Sequence, residues 1–242
     1  MKVNKNKLAS LLMVGVAGVS LFGLTGCEVT FGAPRVGTTE EAVVTTQKVA
    51  FNGFTLELPE NYYYQYSSGD VVIAPDKTSP KWAARVGYET NANYEGIYAK
   101  RKSVISNLSA YGVTTKKIKT QTIGGLRWIF FEVVEKGQSG IYAYTDATTS
   151  SVFCVALFSN SNTYDYTPFT EISSILSKAK NSKSSYNLAT DGGIDVGTSP
   201  QIDYSKLTDD PTGTTDDSIN KELEAGTLGQ AAATTTTPAA AN

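Results

Sequence analysis

Histidine is missing altogether from the 242 residues. Without imidazole no Ser-His-Asp or Cys-His nucleophile system can be assembled, and no zinc site with imidazole ligands. Carboxylate, lysine and tyrosine chemistry stays open. Cysteine is nearly missing too: Cys27 and Cys154 are the two in the chain, so there is no disulfide framework. A strong charge of either sign is absent from the middle of the chain. Residues 46–183 hold fifteen basic and eleven acidic side chains, a net of +4, too weak to argue for nucleic acid. The acids gather at the end, where residues 184–242 carry nine of them against two lysines.

The N-terminus has the layout of a secretory signal. Lys2, Lys5 and Lys7 precede an apolar stretch over residues 8–24. It ends Leu24-Thr25-Gly26-Cys27, which resembles the lipobox of bacterial lipoproteins. That resemblance implies removal of residues 1–26, a diacylglyceryl group on the Cys27 thiol, and an acylated new amino group, palmitate among the expected chains. A thiolate suits thioether formation, and burying acyl chains gains about 0.8 kcal/mol per CH₂, so two or more chains anchor stably. An uncleaved membrane helix is the competing reading. The apolar run is short for that and has no charged stop after it. The expected location is the cell membrane, lipid-anchored on the extracytoplasmic side. Lipidation would leave Cys154 without a partner in the chain. It lies in an apolar run, Ser-Val-Phe-Cys-Val-Ala-Leu-Phe, which favours a buried small hydrophobe over a reactive thiol.

Composition divides the mature chain. Residues 27–46 read as anchor and flexible linker, spanning about 25 Å by random-coil scaling. Residues 47–183 carry the periodic pattern. Phe54, Leu56 and Leu58 alternate with Thr55 and Glu57 after Asn52-Gly53, a hairpin signal. Tyr62 to Tyr66, Val71 to Ile73 and Trp82 to Tyr88 read as further strands. Ile97, Val104, Ile105, Leu108 and Tyr111 fall at helical spacing, and Gly112 is the expected stop. A Lys-rich stretch from Val113 suits an edge strand. Gly124-Gly125 turns into Leu126 to Val134, the segment from Lys136 to Gly140 forms another turn, and Ile141 to Tyr144 and Val152 to Phe158 follow. A final helix has Thr167 as its expected N-cap and Pro168 in its first turn. The order predicts an α+β fold: a mainly antiparallel sheet with two helices packed on it, flanked by disordered linker and tail. Residues 184–242, rich in Thr, Ala, Ser and Asp, are expected to stay disordered, because they hold too little apolar surface to offset ordering entropy. Residues 217–225 have the pattern of two helical turns that would be marginal alone.

The stretch Phe54-Thr-Leu-Glu-Leu-Pro59-Glu-Asn-Tyr62 resembles the start of PsbP, Mog1 and DcrB-like domains, and Gly124-Gly125-Leu-Arg-Trp128 resembles their turn into the central strands. The likeness spans residues 49–180. It implies that same α+β architecture and a binding or accessory role, with no catalytic residues carried over.

Several constellations suggest surfaces. Tyr62, Tyr64, Tyr66, Trp82 and Tyr88 would form an aromatic binding surface for sugar or peptide, or supply ordinary sheet aromatics. Lys100, Arg101, Lys102, Lys116, Lys117 and Lys119 would face anionic headgroups, or be solvated surface for which the acidic tail competes. Thr-Asp-Asp at 208–210 and 215–217 lacks calcium-loop spacing. Glu57, Glu89, Glu132 and Glu135 are the strand carboxylates available to an enzyme. No metal or cofactor is called for. The expected function is a lipid-anchored binding or accessory module. Its expected partners are the membrane, through covalent lipid, and another envelope protein or polymer. A small carboxylate-dependent hydrolase acting on envelope polymer is the alternative.

Replacing the anchor residue tests the first of these readings. Cys27→Ser is predicted to abolish lipidation and move the protein out of the detergent phase on phase separation. Continued partitioning with detergent would mean that an uncleaved helix holds the chain.

Overall fold

The structure, a computed structural model, describes residues 45–67, 69–76, 78–158, 163–181 and 202–229. The signal segment, Cys27 and the linker up to residue 44 lie outside the described residues, as do 182–201 and 230–242. Among the described residues, ten strands run β1 Thr46–Phe51, β2 Phe54–Pro59, β3 Tyr63–Ser67, β4 Asp70–Ala74, β5 Ala84–Thr90, β6 Val113–Ile123, β7 Leu126–Glu135, β8 Gln138–Thr148, β9 Ser151–Phe158 and β10 Lys180–Asn181. Four helices join them: α1 Tyr94–Ala99, α2 Arg101–Ala110, α3 Pro168–Leu176 and α4 Asp216–Glu224. The fold is α+β. One sheet has the order β3-β4-β5-β9-β8-β7-β6, a smaller one β1-β2-β10, and the recorded pairings are antiparallel.

Local chemistry sets the hairpins. Asn52 and Gly53 have φ of 45° and 82°, the two positive values that a type I′ turn requires, and asparagine and glycine reach them at least cost. The turn after β7 is tighter than the sequence suggested. Lys136 and Gly137 alone make it, and Gln138 already pairs with Glu135.

The large sheet buries both faces. Side chains on one face pack against the small sheet and α3: Val71, Ile73, Val86, Val155, Leu157, Ile141, Trp128 and Phe130 meet Phe51, Phe54, Leu56, Phe169 and Ile172. Trp128 is fully buried, and its indole N–H donates to Ser173 at 3.0 Å, which satisfies the polar edge of the largest side chain there. The other face, with Ile118, Ile129, Phe131, Val133, Tyr142 and Tyr144, is covered over β6 to β8 by α1 and α2.

Three expectations need correction or refinement. The single helix expected from Tyr94 breaks at Lys100, whose φ of −114° and ψ of 18° leave helical geometry, and Asn93 caps its first half by accepting from the Gly96 N–H at 2.8 Å. Thr167 does hold the N-cap position, with Pro168 opening the helix, but its side chain makes no cap bond and donates its hydroxyl to Asp165 at 2.6 Å instead. The third correction is the largest. Within the stretch expected to be a disordered tail, residues 202–229 fold onto the domain.

This C-terminal strap crosses α2 and the edge strand β6. Ile219 is fully buried, Ile202 and Tyr204 nearly so, and Leu207, Leu223 and Leu228 pack beside them in the second core. Thr215 and Ser218 form a reciprocal capping box at the start of α4. The Asn220 side chain accepts from the Ile118 N–H at 2.7 Å and donates to the Ile118 carbonyl at 2.9 Å. One side chain thereby occupies a donor and an acceptor of the exposed sheet edge. Arg101 is the centre of the contact and only 1% exposed. Its guanidinium pairs with Asp216, donates to the Thr214 carbonyl at 2.8 Å, has its Nε 3.9 Å from Asp210, and lies 3.6 Å above the Tyr98 ring.

Removing one partner of a buried ion pair costs about 3–5 kcal/mol, because a desolvated charge is left behind. Asp216→Ala is therefore predicted to lower stability by about that amount, and Arg101→Met, which leaves the two carboxylates Asp210 and Asp216 without their cation, by at least as much. Urea denaturation midpoints of the two variants check the order.

Candidate functional site

A pocket opens on the second face of the large sheet, beside α2. Strand periodicity builds it. Along β5, Ala84 and Val86 enter the first core, so Arg85, Gly87 and Glu89 project to the opposite side. Register then aligns two cross-strand rows: Gly87, Cys154 and Tyr144 in one, Arg85, Ala156 and Tyr142 in the next. Gly87, Cys154 and Ala156 are small and make a hollow floor. Arg85, Glu89, Tyr142 and Tyr144 are long and make walls, with Asp70 from β4 and Leu108 from α2 completing the lining. The cavity is about 50 Å³. A single water needs roughly 10–15 Å³, so there is room for a few water-sized groups.

Charge within the pocket is unevenly compensated. Asp70 accepts from the Arg85 guanidinium, and the pair neutralises itself. Glu89 has no basic partner among the described residues. Burial pushes its carboxyl up to about 7; hydrogen bonding from Tyr204 and Cys154 opposes this, and the Asp70 charge adds to it. Burial also drives Cys154, Tyr144 and Tyr204 well above their ordinary ranges, helped for Cys154 by the nearby Glu89 charge. All three are thus protonated near neutral pH. Cys154 is a packed thiol rather than a thiolate, as an inert buried cysteine should be. The Tyr204 hydroxyl comes from the strap to lie beside Glu89, Tyr144 and Cys154, shut off from solvent and without a bond of good geometry. Tyr142 donates to Glu135 at 2.7 Å.

The aromatic set read from the sequence serves mainly as packing. Tyr62 meets Trp82 edge-on with ring centroids 6.0 Å apart and donates to Glu171 of α3. Tyr64 packs against Tyr66, whose hydroxyl donates to the Ala50 carbonyl at 2.7 Å. Tyr88 lies against Phe54 and Phe153 and, of these five, also borders the pocket. All five belong to the first core or its margin, so they do not assemble into an open groove.

The basic set does not form one membrane-facing surface, which corrects that expectation. Arg101 is buried under the strap. Lys100 donates to the Tyr204 carbonyl at 3.2 Å and lies 3.9 Å from Asp209, and Lys102 pairs with Glu222 at 2.5 Å. Lys119 sits 4.8 Å above the Tyr166 ring. Lys116 and Lys117 remain exposed, at an irregularity in β6.

The strand carboxylates are dispersed. Glu132 accepts from Tyr166 at 2.7 Å, Glu135 accepts from Tyr142, and Glu57 lies on the small sheet. Glu89 alone of the four lines the pocket. Asp70, Arg85 and Gly87 were missed as site residues. Alternation along β5 does carry a signal for two of them: in Ala-Arg-Val-Gly-Tyr-Glu the apolar set falls on one face and leaves Arg85, Gly87 and Glu89 together on the other.

Comparison with known proteins adds little. No family model matches the chain, and no curated protein does. A solved structure from Bacteroides thetaiotaomicron VPI-5482 is similar over 57% of this chain at 12% identity, with a TM-score of 0.35. The match spans about half, 48%, of that protein's length.

The raised Glu89 carboxyl makes a signed prediction. It binds its proton more tightly folded than unfolded, so it contributes stability below its unfolded range near 4.5 and loses it as pH rises through about 7. Glu89→Gln is predicted to match the wild type at pH 4 and to exceed it above pH 7 by up to about 3 kcal/mol, at 1.36 kcal/mol per pKa unit. Denaturation at pH 4, 5.5, 7 and 8.5 checks both sign and window.

Proposed function

We propose that the chain is an exported, lipid-anchored protein of the cell envelope whose folded domain is a binding module taking a small polar group in the pocket over Gly87, Cys154 and Ala156. The Leu24-Thr25-Gly26-Cys27 motif supports the anchor. The pocket supports binding, and one observation carries that part: small floor residues and long polar walls meet at a buried carboxyl that has no basic partner among the described residues.

The carboxylate hydrolase is the second reading, and Asp70 beside Glu89 favours it, since a neutral and an ionised carboxyl in one pocket is the usual acid–base arrangement. Size argues against it. About 50 Å³ does not admit a sugar ring with its glycosidic neighbour, and Asp70 is spent on Arg85.

Filling the floor tests the binding reading. Ala156→Phe in the full chain with Cys27→Ser is predicted to keep a cooperative fold and to lose, by at least tenfold, the affinity for any small probe that shifts the Gly87 and Cys154 amide resonances. Release of soluble fragments from purified envelope polymer, abolished by Glu89→Gln, would instead establish the hydrolase.

A further inference from the structure

We propose that this pocket, taken as the binding site argued above, selects a small aliphatic ammonium group, held on the Glu89 carboxylate between the Tyr142 and Tyr144 walls. Geometry supplies three arguments. The first is charge. Of the pocket's ionisable groups, Asp70 and Arg85 satisfy each other, and Glu89 is left facing Cys154, Tyr144 and Tyr204, all of them uncharged. An ionised carboxylate in a desolvated site demands a cation, and among the described residues the protein supplies none. The second is shape. The floor is made of Gly87, Cys154 and Ala156, and the hollow of about 50 Å³ matches an ammonium head with one or two carbons rather than a bulky ligand. Gly87 keeps that floor open: a Cβ at that position would lie 3.0 Å from the Asp70 carboxylate oxygen, which would have to shift. The third is the wall. Tyr142 and Tyr144 line the hollow and present aromatic surface, which attracts cations.

Binding then competes with a proton. Below the Glu89 midpoint the carboxyl must lose its proton before it holds the cation, so apparent affinity falls roughly tenfold per pH unit and one proton is released per ligand. Above the midpoint affinity levels off. The groups facing Glu89 are Asp70 on β4, ion-paired with Arg85 on β5, and Tyr144 on β8, Cys154 on β9 and Tyr204 on the strap, which burial keeps protonated through pH 5–8. The midpoint therefore belongs to Glu89.

The test uses the full chain carrying Cys27→Ser, with ethylammonium as the cationic probe, acetamide as the neutral one and potassium chloride as the inorganic cation. Amide shifts and calorimetry are recorded from pH 5 to 8. The proposal expects saturable shifts at Gly87, Cys154 and Ala156 with ethylammonium, affinity rising through pH 7, proton release near pH 6, and loss of all three in Glu89→Gln. Equal binding by Glu89→Gln, a flat pH profile, or an equal response to potassium would overturn it. Saturable binding of acetamide but not ethylammonium would remove the ammonium and leave the pocket as a binding site. No saturable shift with any of the three would remove both readings. Because Glu89→Gln keeps size and is predicted not to destabilise, loss of binding in it is not a failure to fold.

Discussion

The Arg101 guanidinium constrains more of this molecule than any other single group. A charge at 1% exposure is tolerable only when it is paired and hydrogen-bonded. Arg101 sits at the start of α2, on the side facing away from the first core, and its partners Asp210, Thr214 and Asp216 all lie in the C-terminal strap. Satisfying it therefore fixes the path of the strap. That path brings Asn220 onto the free edge of β6 and Ile219 into the second core, and it delivers Tyr204 beside Glu89, Tyr144 and Cys154. The candidate site and the C-terminal segment are coupled through one ion-paired arginine.

The strap also changes the electrostatics of the surface. Lys100, Arg101 and Lys102 are the densest basic group on the helix, and each meets an acid or a carbonyl from residues 204–222. A basic patch of that kind attracts anionic membrane only while its charges are uncompensated. Here the strap, residues 202–229 with seven acids and two lysines, compensates them. What tethering the sequence proposes thus rests on Cys27 and lipid, with little help from the folded surface.

Much of the architecture was legible because it depends on short-range pattern. Alternation at Phe54, Leu56 and Leu58, the Asn52-Gly53 and Gly124-Gly125 turns, and the lysine-rich edge strand all follow from side-chain period and backbone freedom. The strap was misread for an equally physical reason. Composition counts the apolar surface that a segment owns, and this one owns little. It does not count a preformed apolar face and a buried guanidinium waiting elsewhere in the chain. The repeated Thr-Asp-Asp is visible in the sequence, but the partners of Asp210 and Asp216 lie about a hundred residues away.

The sequence by itself determined the kinds of chemistry closed to a chain without histidine, and its contiguous motif at Cys27 is what the proposed lipid anchor rests on. It also determined which residues alternate. Tertiary structure alone decided which alternating sets face each other. Cross-strand register places Gly87 beside Cys154 and Arg85 beside Ala156, and these are pairings between residues some seventy positions apart. A pocket is a gap between long side chains, and its existence depends on which small residues become neighbours across strands. Nothing local to β5 or β9 encodes that meeting; the order of the strands does.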